Sequence, residues 1–410
     1  MNNKLFVTFK KDMGGKLFPA FLSALLFALP STSRAVGFRL PNQDPEAIAR
    51  GNAFAATADD PSAIFYNPAG ITQLQGQQVS VGAYIVSANT HFSSGGGSAH
   101  TDATPQPVPQ LYYVNSFTNV PLSVGVGVNA PYGLSLDWGN NAPFATAGYE
   151  GSLIYASVNP VIAWKVTPKF SIAAGATLNF SQATLDSALP SPFPAGYKSK
   201  FKGDGWAPGY NFGVLWQPAP MWSFGLNYHS KTEIKYNGHF SQNFGAPFPS
   251  STSSSATIPF PEYVVGGISF RPTPKWNFEF DLDWTEWSLV KTVTINDTPF
   301  GNQPLVFNYR DSFIYEFGAT RQLGNGYWAS AGYMYSENSS PSQSFVPLIP
   351  DMNLNCGGIG FGHHGQRWDW AVAYQFAYGT RTVSGDANPS ADGHYRTFNN
   401  AVNLSATFKF

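Results

Sequence analysis

Charged residues are scarce in this chain of 410 residues, because Asp, Glu, Lys and Arg together make up 11% of it. Ordinary soluble domains contain roughly 25%. The 23 basic and 24 acidic side chains nearly cancel, to a net charge of −1, so no basic face for a nucleic acid is expected. Aromatic residues instead reach 16%. A surface poor in charge and rich in aromatic rings indicates contact with a solvent other than water.

Long apolar runs are also lacking. Beyond the N-terminal region, no stretch approaches the roughly 20 apolar residues that a membrane-spanning helix needs. Cys356 is the single cysteine, which excludes an internal disulfide and makes a poor metal site, so we interpret it as structural. With membrane-spanning helices excluded, the composition favours a barrel of amphipathic strands, whose side chains face lipid and lumen in alternation.

The N-terminus has the pattern of an export signal. Lysines as far as Lys16 precede the apolar stretch Leu17 to Leu29, and small residues at Ser33 and Ala35 suit a cut after Ala35. The apolar stretch is short for a membrane anchor, which favours cleavage. We therefore predict that residues 1–35 are a signal peptide that directs export.

Many later segments alternate with a period of two. In the stretch from Trp276 to Trp284, every even position is apolar and every odd one is polar or acidic. Glu279, Asp281 and Asp283 are therefore expected to face a wet interior. About fourteen such segments occur, and an even number closes an antiparallel barrel. We expect them to begin near positions 77, 108, 122, 153, 170, 205, 222, 257, 275, 303, 327, 352, 368 and 394.

The connections between these segments alternate in length. Short turns such as Thr167-Pro168-Lys169 and Pro272-Thr273-Pro274 alternate with longer polar stretches such as 239–256 and 384–393. Bacterial outer-membrane barrels have short periplasmic turns and longer external loops. The sequence therefore predicts an all-β fold, a transmembrane antiparallel β-barrel over residues 77–410, in the outer membrane.

Residues 36–76 show no such alternation. Asp60 can cap a short helix, Pro61 suits its first turn, and Asn67-Pro68 ends the piece. Apolar side chains such as Phe54 argue against a freely solvated extension. We therefore predict that residues 36–76 form a hatch, a plug that lies inside the lumen of the barrel.

Four motifs of the exported chain carry a resemblance. They are Gly37-Phe38-Arg39-Leu40, Asn67-Pro68-Ala69-Gly70, Asn129-Ala130-Pro131-Tyr132-Gly133 and Asp283-Trp284-Thr285-Glu286-Trp287-Ser288. With them, nearly the whole exported chain resembles the FadL family of outer-membrane long-chain fatty acid and hydrocarbon transporters, apart from the external loops.

The resemblance implies a function as well as a fold. It implies a monomeric channel whose lumen is blocked by the hatch, with no enzyme activity and no cofactor. A hydrophobic ligand is captured outside and leaves sideways into outer-membrane lipid. A long-chain fatty acid is the first expectation for this ligand, and an aromatic or alkane hydrocarbon is the alternative.

The third strand contains the expected exit. Pro131 cannot donate a ladder hydrogen bond, so it should interrupt pairing after the alternation from Leu122 to Asn129. From the residues alone, Pro131 either marks the end of the strand or kinks it. The resemblance implies the second reading, a lateral opening formed by Asn129, Ala130, Pro131, Tyr132 and Gly133.

Candidate ligand contacts fall into two groups. One loop is unusually apolar for an external segment and suits either a first docking groove or packing within the external cap. A fatty acid carboxylate would also need a cation that faces the lumen. The loop candidates are Phe193, Tyr197 and Phe201, and the cationic candidates on inward strand positions are His229, Lys231, Lys235 and Arg381.

Two other functions remain open. A general diffusion porin needs an open lumen, which the predicted hatch argues against. An outer-membrane hydrolase could use the base His229 beside the hydroxyl of Ser230. Neighbours in a strand point to opposite faces, however, so this pair is not expected to form.

Overall fold

A computed structural model describes residues 37–189, 193 and 196–410, so the predicted signal peptide lies outside it. The described chain begins with two short helices, α1 (Pro45–Ala49) and α2 (Ala63–Tyr66), and the 3-10 helix Pro68–Gln73. Across the described ranges, no helix has the length and apolar character required to span a membrane.

Strands make up most of the remaining chain. Their bounds are β1 (Gly76–Ser94), β2 (Gly97–His100), β3 (Gln106–Ser116), β4 (Leu122–Asn129), β5 (Leu134–Asp137), β6 (Glu150–Thr167), β7 (Phe170–Ala188), β8 (Lys198–Ala219), β9 (Trp222–His229), β10 (Thr232–Gln242), β11 (Ser251–Phe260), β12 (Tyr263–Thr273), β13 (Trp276–Thr285), β14 (Thr292–Ile295), β15 (Gln303–Val306), β16 (Ser312–Gly324), β17 (Tyr327–Ser336), β18 (Leu354–His364), β19 (Trp368–Val383) and β20 (Gly393–Lys409).

The wall is a closed antiparallel barrel of fourteen strands, as the sequence predicts. It closes where β20 pairs with β1, from Gln78 opposite Lys409 to Ser93 opposite His394. Three wall strands are each broken into two parts, which are β4 with β5, β9 with β10, and β11 with β12. The short β2 folds back on β1, and β14 pairs with β15 in a separate hairpin.

Alternation along β13 separates lipid from lumen. Phe278, Phe280 and Leu282 face outwards and are 37% to 42% exposed, whereas the three carboxylates between and after them are at most 4% exposed. The inward direction is therefore confirmed, but the expected wet interior is wrong at this level. The hatch packs directly on the carboxylates and excludes water from them.

One wall strand begins at a different position from the predicted one. The segment expected near 303 is β15, and the tenth wall strand begins at Ser312 instead. Residues 303–306 alternate, but β15 pairs with β14 rather than with the wall. The connection from β13 to β16 is consequently a long loop, 286–311, which carries its own hairpin. The next largest offset is at β8, expected near 205 and observed from Lys198.

The ends of the barrel differ in loop length, which gives a test of orientation. Only two residues separate β12 from β13, whereas eight residues, 243–250, separate β10 from β11 at the other end. Cysteine at Ser253 or Ser94 should react with a membrane-impermeant maleimide on intact cells, and cysteine at Thr273 should not. Cys356 is buried and gives little background. Labelling at Thr273 alone would show that the barrel is inserted the other way round.

Candidate functional site

Buried carboxylates of the wall hold the hatch. Arg50 Nη2 donates to Glu279 Oε2 at 2.7 Å. The backbone N–H groups of Phe54 and Ala55 donate to Asp281 Oδ2 at 2.9 and 2.7 Å. Charge-assisted hydrogen bonds of this kind are strong when water is excluded. These contacts fix the centre of the hatch to β13.

A second ion pair fixes the beginning of the hatch. Arg39 Nη1 donates to Asp283 Oδ1 at 2.7 Å and to Thr285 Oγ1 at 2.8 Å. The guanidinium also lies 3.6 Å from the centre of the Tyr263 ring, a cation–π geometry. Both partners of the ion pair are buried. The first residues of the hatch are thus held across the lumen by the far wall.

Asn67 of the Asn67-Pro68-Ala69-Gly70 motif joins the hatch to itself and to the wall. Its side chain accepts from Ala69 N at 3.2 Å and thereby caps the 3-10 helix Pro68–Gln73. Its amide nitrogen donates to Ala55 O at 2.7 Å and to Val214 O of β8 at 2.9 Å. One side chain therefore satisfies three backbone groups.

Replacing Asn67 should loosen this part of the hatch. In Asn67→Ala, the buried carbonyl of Ala55 loses its donor, which costs about 1–3 kcal/mol, and the partly buried contact with Val214 O is lost as well. Hydrogen exchange across Pro68–Gln73 should become faster, while exchange in the wall strands stays unchanged. The exposed loop residue Asn140 provides the control Asn140→Ala. Equal exchange in both variants would contradict the role of Asn67.

The barrel wall has a gap beside the third strand. β4 pairs with β3 as far as Val128 opposite Leu111, and the pairing stops there. Within the described chain, β5 pairs with β6 alone. Above the gap, Asp102 N donates to Asp137 O at 2.9 Å. Between these two limits, residues 106–110 of β3 and residues 129–136 form no ladder with each other, and we call this opening the wall gap.

The start of the hatch fills the wall gap. Leu40 N donates to Pro131 O at 2.8 Å, and Gly133 N donates to Phe38 O at 3.0 Å. Arg39 and Tyr132 thereby form an isolated antiparallel bridge. Three residues of the hatch take the place of a partner strand, so the backbone at the break is satisfied although the wall is not continuous.

Gln43 of the hatch completes the closure. Its amide nitrogen donates to Ala130 O at 2.9 Å, and its amide oxygen accepts from Ala130 N at 3.2 Å. Tyr112 of β3 donates to Gln43 O at 3.1 Å. Ile64 packs lower down against Gly127 of β4, where an added Cβ would come within 2.9 Å of it. No wall residue supplies these contacts to Ala130 within the described ranges.

An apolar cavity of about 120 Å³ adjoins the wall gap. Phe38, whose carbonyl accepts from Gly133 in the wall gap, and Leu134 of the gap itself both belong to its lining. The loop 286–311 supplies a large part of the remaining surface. Other lining side chains are Phe201, Val293, Phe307 and Ile349.

Aromatic side chains of three external segments form a cluster beyond the cavity. The ring centres of Phe193 and Phe244 lie 4.8 Å apart, and Tyr197 lies 5.1 Å from Phe244. Phe300 of the loop 286–311 lies 5.5 Å from Phe193 and 4.9 Å from Phe248. We call these five residues the external aromatic cluster. Phe300 also packs on the buried apolar residues around the cavity, which connects the two features.

The predicted cationic contacts have different positions. His229 faces inwards, with Nε2 3.1 Å from Phe65 O and its ring stacked on Tyr263 at 4.5 Å. The prediction that Lys231 and Lys235 face the lumen is wrong, because both are exposed on the outside of the barrel. Residues 230–231 leave the ladder, and the pairing with β8 shifts by one residue between β9 and β10. A shift of one residue moves every following side chain to the other face.

Arg381 bonds to the loop between β17 and β18. Its Nη1 donates to Asp351 O at 2.7 Å and its Nη2 donates to Ser340 O at 2.8 Å. The carboxylate of Asp351 accepts from Gly37 N at 3.0 Å, at the start of the described hatch. Burial raises the pKa of Asp351 to about 6. Arg381 therefore organises the loop that holds the beginning of the hatch.

The suggested hydrolase pair does not form. His229 bonds to the hatch, whereas Ser230 Oγ accepts from Tyr210 N at 2.9 Å. A base that is aimed at a backbone carbonyl cannot activate the neighbouring hydroxyl. The two side chains therefore serve local structure.

The chain is similar to known outer-membrane proteins. The family described as outer membrane protein transport protein (OMPP1/FadL/TodX) matches residues 26–410. The long-chain fatty acid transport protein of Escherichia coli K12 is 23% identical over 390 residues, which cover 82% of this chain and 86% of that protein. The 47 kDa outer membrane protein of Pasteurella multocida is 25% identical over 382 residues, with coverages of 84% and 87%.

Solved structures share the fold. A FadL homologue of Pseudomonas aeruginosa superposes with a TM-score of 0.82 at 18% identity, covering 92% of this chain and all of that one. The toluene transporter TodX of Pseudomonas putida gives 0.72 at 17% identity, with coverages of 90% and 98%. The family match extends over every described residue, so the chain belongs to the OMPP1/FadL/TodX family of outer membrane transport proteins.

Proposed function

We propose that this protein is a passive, monomeric channel that carries small hydrophobic molecules from outside the cell into the outer membrane, without enzyme activity. The observation that carries the proposal is the wall gap, which only the hatch closes and which adjoins an apolar cavity. The names of the relatives support the substrate class, since they include a fatty acid transport protein and a toluene transporter.

Capture begins at the external aromatic cluster. Aromatic rings gathered at an external surface attract apolar molecules, because burial removes apolar area from water. The contact between Phe300 and the apolar core around the cavity gives the ligand a continuous apolar path inwards. A long-chain fatty acid is one possible ligand of such a path, and an uncharged hydrocarbon is another.

Release follows through the wall gap. A hydrophobic molecule gains free energy when it enters lipid and loses it when it enters the aqueous periplasm. A sideways exit therefore suits such a molecule better than a straight tunnel past the hatch. Movement of residues 38–43 away from Ala130 and Pro131 would open the gap, and no energy source is required.

The plugged lumen supports this function over that of a general porin. Residues of the hatch from Ala47 to Phe54 are buried against the wall strands, and Arg50 is completely enclosed. A porin needs a continuous water-filled channel through the lumen. We therefore expect the intact protein to be silent in conductance measurements.

Uptake in intact cells tests the proposal. Cells that lack and cells that express the protein are mixed with N-phenylnaphthylamine, which fluoresces in the membrane interior. Expression should speed the rise in fluorescence. Phe244→Ser should lower the rate about threefold to tenfold at limiting dye, because an aromatic contact is worth about 0.5–1.5 kcal/mol.

The control is Phe117→Ser, at an exposed aromatic residue in the short turn between β3 and β4. This variant should take up dye at the normal rate. Equal uptake with and without the protein would overturn the proposed function, and so would a steady wide-pore conductance of the intact protein.

A further inference from the structure

We infer that the apolar cavity binds small uncharged hydrocarbons and rejects molecules that carry a carboxylate, an inference that rests on the proposed function. Leu153 and Ala183 face the cavity, so strand alternation turns the side chains of their neighbours Ser152 and Thr184 away from it, and every other lining residue is apolar or glycine. Among the described residues, no charged side chain lines this cavity. A neutral ligand needs no more than this surface, whereas a carboxylate needs a donor.

Arg39 is the first cation to consider, and its side chain is already paired elsewhere. Arg39 follows Phe38 in the chain, but its Nη1 donates to Asp283 and Thr285. Its Nε is buried without a partner, and Arg39 also lines a separate space of about 20 Å³. Asp283 and Glu316 also line that space, so an added carboxylate would meet like charges there.

The remaining candidate cations cannot reach the cavity. Lys231 and Lys235 lie on the outer surface of the barrel. Both terminal nitrogens of Arg381 donate hydrogen bonds to backbone oxygens, Nη1 to Asp351 and Nη2 to Ser340. The guanidinium lies over the ring of Phe345. A carboxylate in the cavity would therefore gain no partner from these three cations.

The size of the cavity points to a small ligand. An apolar protein cavity of roughly 150 Å³ binds one benzene molecule, and the cavity of this protein is about 120 Å³. A long acyl chain has many more carbon atoms than one ring. The volume therefore fits a molecule with a single ring or a short alkyl chain, without a charged group.

Toluene and benzoate form a matched pair of probes, because they differ in a methyl and a carboxylate group on the same ring. Binding is measured by equilibrium dialysis with the purified, detergent-solubilised chain at neutral pH. Toluene should bind, and benzoate should bind at least roughly a hundredfold more weakly, because its carboxylate loses water without gaining a partner. Hexadecanoate should not displace toluene.

Two variants connect the binding to the cavity. Ala183→Phe fills it and should abolish toluene binding. Ile258→Lys adds a cation at a lining position of β11 that packs on the core, and it should raise the affinity for benzoate relative to toluene by at least tenfold. Heat-modifiable migration on a gel identifies the folded barrel in each case. If one variant fails to fold, the other variant tests whether the ligand binds in the cavity.

The failure of this inference is distinguishable from that of the proposed function. If benzoate or hexadecanoate binds as tightly as toluene, or if Ala183→Phe leaves toluene binding unchanged, the inference is wrong even when the protein still speeds dye uptake in cells. If expression of the protein does not speed dye uptake at all, the proposed function itself fails.

Discussion

A disulfide between the hatch and the third strand should abolish uptake without unfolding the barrel. The design is Leu40→Cys with Gly133→Cys. A Cβ added at Gly133 would lie 3.8 Å from Leu40 Cγ, the position that a cysteine sulfur at residue 40 would take. This distance is suitable for a disulfide after a small adjustment. The oxidised protein should take up dye at the rate of cells without it, and reduction should restore the normal rate.

The control for this lock is a second disulfide at the other end of the hatch. Thr72 Oγ1 and Ser171 Oγ lie 2.8 Å apart, so Thr72→Cys with Ser171→Cys ties the hatch to β7 away from the wall gap. This variant should keep normal uptake, because residues 38–43 stay free to move. Normal uptake by the oxidised Leu40–Gly133 lock would exclude the lateral route and favour a path past the hatch.

Deletion of residues 37–75 should convert a silent protein into a conducting one. The deletion removes Arg39 and Arg50, which neutralise the wall carboxylates, and leaves the barrel strands in place. The open lumen then carries a cluster of negative charge on β13 and β16. Single-channel recordings in planar bilayers should show stable openings, with a reversal potential in a KCl gradient that indicates cation preference. The carboxylates are Glu279, Asp281, Asp283 and Glu316.

A matched variant separates the pore from its selectivity. Replacing the four carboxylates by Gln or Asn in the deleted protein should leave the conductance high and remove the cation preference. Conductance of the intact protein at the same level as the deletion variant would contradict the plugging role of the hatch.

The wall of the barrel could be predicted because strand alternation is a local property. The expected start near 222 and the expected start near 368 coincide with the first residues of β9 and β19. The errors arise where one residue leaves the ladder. The break at 230–231 carries no proline or glycine signal, yet it reverses the faces of Lys231 and Lys235.

The candidate site could be predicted only in part. Pro131 indicates the break in the third strand, because a missing N–H is a property of the residue itself. The closure by Gln43 depends on a contact with Ala130 across 87 positions, which no local pattern encodes. The contribution of the loop 286–311 to the cavity did have a signal, since Val290, Val293 and Ile295 are apolar in an external segment.

Under the proposed lateral exit, the closure of the wall gap also sets how often the channel stands open. Four hydrogen bonds hold residues 38–43 against the third strand, two through the backbone and two through the Gln43 amide. At about 0.5–1.5 kcal/mol each, these four bonds alone favour the closed form by about 2–6 kcal/mol, which keeps the open population below roughly one in 30. A ligand in the cavity that pushes Phe38 aside must supply this difference and also offset any loss of the Arg39–Asp283 ion pair and of the contact between Phe38 and Trp287. In this proposal the barrel stays sealed to polar solutes until a ligand offsets these contacts.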